Sequence, residues 1–124
     1  MSSDPVDIAK IRELEASVKN DKKKSNFILD IKKYLSNEKN SQKVRLASMH
    51  ALRRIFIEIL DNNLLTPITS NDKEAVLEYK RWIKNQLKSF LELLNLIILT
   101  EVLEIQVAAI RTIFEVNLQN VIIN

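Results

Sequence analysis

The sequence predicts an all-α protein of about five helices. They form a HEAT-like α-solenoid: two stacked antiparallel helix pairs preceded by an N-terminal helix. Three observations carry this. Glycine is absent and there are only two prolines, Pro5 and Pro67, so the tight turns of a strand-rich fold lack the residue that best accepts positive φ. Apolar residues are 46% of the 124 and recur at helical spacing. Finally, one helix is written almost twice. ALRRIFIEILDN at 51–62 lies over AIRTIFEVNLQN at 109–120, with Ala51, Arg53, Ile55, Phe56, Leu60 and Asn62 on Ala109, Arg111, Ile113, Phe114, Leu118 and Asn120.

The first helix is expected over about 5–18. Asp4 serves as its cap and Pro5 fills the first helical position, and Val6, Ile8, Ile11, Leu14 and Val18 make one apolar stripe. The polar run NDKKKSN ends it. The second helix spans about 26–36, with Phe27, Ile28, Ile31, Tyr34 and Leu35 on one face. Ser41 caps the third, about 42–61, and Asn62-Asn63 closes it. This helix carries two apolar rows, Val44, Ala47, Ala51, Ile55, Ile59 and Leu46, Met49, Phe56, Leu60. Two rows predict neighbours on two sides. After the irregular NLLTPITSND, the fourth helix begins near Asn71 or Asp72 and runs to about 98, on a stripe of Val76, Tyr79, Ile83, Leu87, Phe90, Leu94 and Ile97. The fifth spans about 101–119 and is the second copy of the repeated motif.

Ile28, Ile31, Tyr34 and Leu35 also match Leu87, Phe90, Leu93 and Leu94. The repeat is therefore a helical hairpin, the unit of a solenoid in which each pair buries its faces on its neighbours. VRLASMHAL at 44–52 is similar to the second helix of a HEAT repeat; the other copy, VLEIQVAAI, keeps the Val but has Leu103 in place of Arg45. Equivalent burial is expected for Ala51, Ile55 and Phe56 and for Ala109, Ile113 and Phe114. Arg53 and Arg111 are expected to brace adjacent units. The competing arrangement is a simple bundle whose helices share only their period.

Composition narrows the function. No cysteine is present and His50 is the only histidine, which excludes disulfides, thiolate metal sites and multi-histidine chemistry. The residues at helical spacing from His50 are Leu46, Ala47, Arg53 and Arg54, which offer neither nucleophile nor orienting carboxylate, so it reads as a packing or surface residue. Glu74 and Glu78 lack the Glu-x-x-His partner of a helical dimetal site, and no glycine-rich phosphate loop can form. The inventory points away from an enzyme, a cofactor, a metal or a small-molecule substrate. No stretch is long and apolar enough for a membrane span.

Charge is uneven. Residues 1–63 carry 13 Lys/Arg against 9 Asp/Glu, and 64–124 carry 6 against 7. Nine basic residues fall within 19–45, against three acidic. Lys80, Lys84 and Lys88 stand at i, i+4 and i+8, a spacing that is mildly repulsive in a lone helix, and Arg81 widens the patch. These four are the candidate partner-binding residues. A solvated helix face is the plainer reading. Tyr79 and Trp82, three apart, are either core or partner-facing.

YKRWIKNQLKSF at 79–90, followed by EVLEIQVAAIRTIFEV at 101–116, resembles the N-terminal region of the nucleolar complex protein four family; Tyr79, Lys80, Trp82, Val102, Glu104 and Ala109 match its pattern in order. The resemblance covers roughly 30–120. It implies a non-catalytic nucleolar, hence nuclear, ribosome-assembly factor. Such a factor acts in the small-subunit processome on pre-18S RNA, beside an assembly factor of the nucleolar protein fourteen type. It also implies a longer protein, with this chain as a single helical-repeat domain, 1–124, at its N-terminal end. The other open reading is a direct RNA-binding module using 19–45 and 80–88. Against base readout, Phe27, Phe56, Phe90 and Phe114 lie on apolar stripes rather than among basic residues. The apolar tail Val121–Ile123, following an Asn120 expected to end the helix, predicts self-association of the isolated chain through helix five, measurable by analytical ultracentrifugation.

Overall fold

The structure is a computed structural model, and it describes residues 3–62 and 73–123, with side chains up to Asn120. Five helices are present among these: α1 (Asp4–Asn20), α2 (Phe27–Ser36), α3 (Gln42–Asp61), α4 (Glu74–Thr100) and α5 (Leu103–Ile123). A 3-10 turn, Lys22–Lys24, separates α1 from α2. The expected start of the fourth helix, at Asn71 or Asp72, lies outside the described residues.

Local chemistry sets most of the ends. The Ser41 hydroxyl accepts from the Val44 amide at 3.2 Å and starts α3. The Asn62 amide donates to the Glu58 carbonyl at its end. Three boundaries differ from expectation. Asp4 is the first helical residue and not the cap; Ser3 occupies the cap position, and its hydroxyl donates to Asp7 Oδ2 at 3.0 Å. The polar run after α1 is ordered, because the Asp21 carboxylate accepts from the Lys23 amide at 2.9 Å and winds the lysines into the 3-10 turn. At the other end, α5 passes Asn120 without a break and reaches Ile123. An asparagine ends a helix only when it leaves the helical region, and Asn120 does not.

The short links Asn37–Ser41 and Glu101–Val102 make α2–α3 and α4–α5 antiparallel pairs. The pairs then stack in parallel register. Gln42 donates to Glu104 (2.6 Å), Arg53 to Glu115 (3.2 Å), and Gln119 to Asp61 (3.2 Å), which ties α3 to α5 along its length. Lys22 sits over the Tyr79 ring at 5.1 Å, and Lys32 donates to the Ser89 hydroxyl, which places α2 beside α4. Both sets join residues about one repeat apart, the signature of translation along a solenoid. α1 covers α2 and α3 on the far side. A bidentate Arg54–Glu15 pair (both 2.8 Å) fastens it.

α3 is the centre. Its two predicted rows are in contact on two sides, and Leu52, which belongs to neither row, is fully buried as well. Phe56 meets Phe90 of α4 with ring centroids 5.3 Å apart. Burying each ring stabilises by about 1.5–3 kcal/mol, and the stack adds about 0.5–1.5 kcal/mol.

Candidate docking faces

Between the pairs, charge and hydrogen bonding act as clasps. Arg45 is buried; its Nε donates to the Leu35 carbonyl (2.9 Å) and its Nη1 to Glu101 Oε1 (2.8 Å). It therefore holds the end of α2 and the α4–α5 corner together. Nothing in the sequence reading singled it out for this, although its place in the HEAT-like VRLASMHAL was the available signal. Arg53 braces the next unit through Glu115, as expected, whereas Arg111 is exposed and has no ion pair among the described residues. His50 is half-buried, and its Nδ1 accepts a long contact from Arg53 Nε (3.4 Å). Burial, then the charges of Arg53 and Arg54, lower its pKa; Glu115 opposes them. The Glu15 carboxyl is pushed up by burial, but hydrogen bonds from Arg54 and Lys19 and their charges outweigh that and hold it below the usual range.

The predicted basic residues do not stay together. Among those of 19–45, Lys19 pairs with Glu15 and Glu58, Lys22 lies on Tyr79, Lys32 bonds Ser89 and Arg45 is the buried clasp. Lys23, Lys24, Lys39 and Lys43 remain exposed. On α4, Lys80 is buried at the head of its ladder, while Arg81, Lys84 and Lys88 face solvent. The ladder is thus not the uniform surface its spacing suggested. Tyr79 and Trp82 are half-buried against the core.

The larger departure is on α5. Ala109 is fully buried like Ala51, and Ile113 is partly buried, but Phe114 is 71% exposed where Phe56 is 0%. The physical reason is what lies opposite. In α3 the row Leu52, Phe56, Leu60 is fully buried, with Phe56 stacked on Phe90 of α4. In α5 the same row, Ile110, Phe114, Leu118, faces outward at 50%, 71% and 52% exposure. Among the described residues α5 buries only Ile105, Ala109, Thr112 and Val116, on the side packed against α3 and α4. With Asn95 and Ile98 of α4, the outward row lines an open groove of about 460 Å³. A second groove, of about 770 Å³, runs between α3 and α5 and is lined by mixed charge and apolar groups including His50, Arg53, Val107 and Glu115. Among the described residues no group of three or more Asp, Glu or His is placed to hold a metal, and no helix is long and apolar enough to cross a membrane.

A family model described as "Nucleolar complex protein 4-like, TPR repeats" matches residues 2–118. Its description names TPR units where the sequence suggested HEAT-like ones; both are stacked antiparallel helix pairs, the α-solenoid seen here. No curated protein and no solved structure matches the chain.

Proposed function

The chain belongs to the nucleolar complex protein 4-like family, and from that premise we propose that it is a non-catalytic helical scaffold in ribosome assembly. Its work is protein–protein docking in the nucleolus, during small-subunit (pre-18S) maturation, beside a nucleolar protein fourteen-type factor and other processome proteins. One observation carries the reading: the family match spans nearly the whole chain, 2–118. The geometry supports it, since the two clasped pairs leave two grooves open beside α5 among the described residues. Arg81, Lys84 and Lys88 are exposed partner contacts in this reading, and Lys80 anchors the head of the row.

The test is recruitment. A tagged chain is expected to accumulate in nucleoli and to co-purify with small-subunit precursors. Lys84→Gln with Lys88→Gln should weaken co-purification while leaving the fold intact, or stabilised by about 0.2–0.5 kcal/mol as the like-charge repulsion is removed. Diffuse localisation with no precursor RNA in the pull-down would defeat the proposal. Direct RNA binding is the other reading, and the dispersal of the 19–45 cations into intramolecular contacts favours it less. Strong RNA binding by the purified chain, falling steeply with salt, would reinstate it.

A further inference from the structure

We propose that His50 is a proton-sensitive catch on the joint between the two helix pairs. Neutral, its Nδ1 holds Arg53 in the pose that braces Glu115 of α5; protonated, it lets that guanidinium go. The proposal goes beyond the scaffold reading and does not depend on it.

The joint between α3 and α5 is tied by Gln42–Glu104, Arg53–Glu115 and Gln119–Asp61. Of these ties, the middle one alone touches a group that changes charge near neutrality. Arg53 lies one turn after His50 on α3. Its Nε donates to His50 Nδ1 (3.4 Å) and its Nη1 to Glu115 Oε2 (3.2 Å). An imidazole nitrogen accepts only while it carries no proton. Once protonated, the same nitrogen is a donor facing a donor, and two cations stand one helical turn apart.

The charges around the ring come from three helices. On α3, Arg53 and Arg54 follow it at i+3 and i+4. α5 presents Glu115 beside Arg53, with Glu104 and Arg111 in the same groove. From α1, Glu15 holds Arg54 with both oxygens and also takes Lys19. Among the described residues no charged group of α2 or α4 lines that groove. Burial first, then the charges of Arg53 and Arg54, lower the imidazole's pKa, and Glu115 opposes them. Such coupling is reciprocal. The braced guanidinium disfavours the proton, so the proton disfavours the braced guanidinium.

The groove of about 770 Å³ between α3 and α5 leaves the half-buried ring within reach of solvent, so the proton has a path. Its α3 wall, Leu46, His50 and Arg53, belongs to a helix flanked by α1 on one side and α5 on the other. The catch is therefore internal to the stack. The Arg54–Glu15 brace to α1 contains no imidazole, and neither does the Arg45–Glu101 clasp. Mild acid should thus release the middle of the α3–α5 joint and leave α1 and the α4–α5 corner held.

A double-mutant cycle on the whole chain tests this. Arg53→Met and Glu115→Gln, alone and together, are unfolded in urea at about pH 7.5 and about pH 5, on either side of the ordinary histidine midpoint. At the higher pH the two groups should be coupled by about threefold in the unfolding equilibrium constant, the scale of a part-exposed ion pair. At the lower pH that coupling should vanish. In a His50→Gln background it should persist at both, because the Gln oxygen still accepts from Arg53 but does not titrate. This background also subtracts any acid loss that belongs to the carboxylate itself. Coupling that is the same at both pH values in the unaltered background overturns the proposal, as does a loss in acid that His50→Gln does not prevent. His50 is the only histidine, so its ring gives a single NMR titration. Arg53→Met should raise that midpoint and Glu115→Gln should lower it; a midpoint indifferent to Arg53→Met also overturns the catch. Recruitment to precursors is read separately, so the scaffold reading stands or falls on its own test.

Discussion

The two helix pairs carry matching residues in matching rows and meet opposite environments. In α2–α3 the central helix is covered by α1, α2 and α5, with Phe90 of α4 stacked on Phe56. In α4–α5 the corresponding helix is covered by α3 and α4, and its outward row stays exposed. The difference teaches that a repeat fixes the pattern of a helix, while its position in the stack fixes which part of the pattern is used. Phe56 and Phe114 are the same residue in the same register, yet one is core and the other surface.

The sharpest way to break this comparison is to truncate each ring. Phe56→Ala should cost about 3–5 kcal/mol, because it opens a cavity against Phe90. That is a large share of the roughly 5–15 kcal/mol available to a domain. Phe114→Ala should stay within about 0.5 kcal/mol, the range of exposed positions. Urea denaturation of both variants measures the contrast, and similar losses would show that the second pair buries its row after all.

The next effect is the clasp. Arg45→Ala leaves Glu101 and the Leu35 carbonyl without their donor and should cost about 2–4 kcal/mol. Leu103→Ala, at the matching place, should be close to neutral. Thermal melts of the two variants decide it.

The smallest effect is acid dependence, carried by Glu15 of α1 and His50 of α3. Glu15 has a lowered pKa in the folded state. Its contribution is full above the unfolded value, about 4.5, and is lost as pH falls through the folded value. His50 is also lowered; it takes up a proton more readily when unfolded, so it too removes stability as pH falls below about 6.5. In α5 the position matching Arg54 is Thr112, bonded only to the Ala108 carbonyl. Stability should therefore decline with acid in two steps, and Glu15→Gln should erase the lower one. A pH series of urea midpoints reads it, and an unchanged lower step would dismiss the Arg54–Glu15 pair as its source.

The helices, their pairing and the α3 rows were legible because each rests on local spacing, which the chain states directly. The Ser41 cap was legible for the same reason. The exposure of Phe114 was not, because burial depends on a neighbour and the repeat sets Phe114 in the same register as Phe56; the polar Glu115 and Asn117, where the first copy has Ile57 and Ile59, were the local signal. Lys80 misled similarly: i, i+4 spacing puts it in line with Lys84 and Lys88, but the face of α4 it occupies turns inward at that end. Arg45 escaped because its partners, the Leu35 carbonyl and Glu101, lie in different units and share no pattern with it.

Arg45 also bears on mechanics. A guanidinium is a flat plate with its donors in fixed directions. One edge is pinned to the last turn of α2 and another to the hinge between α4 and α5. The plate acts as a set square: it fixes the pitch at which the second pair climbs over the first, and a longer array built on this joint would inherit that pitch. In the second pair the square is missing. Leu103, exposed at the matching place, carries no donor that could set such a pitch.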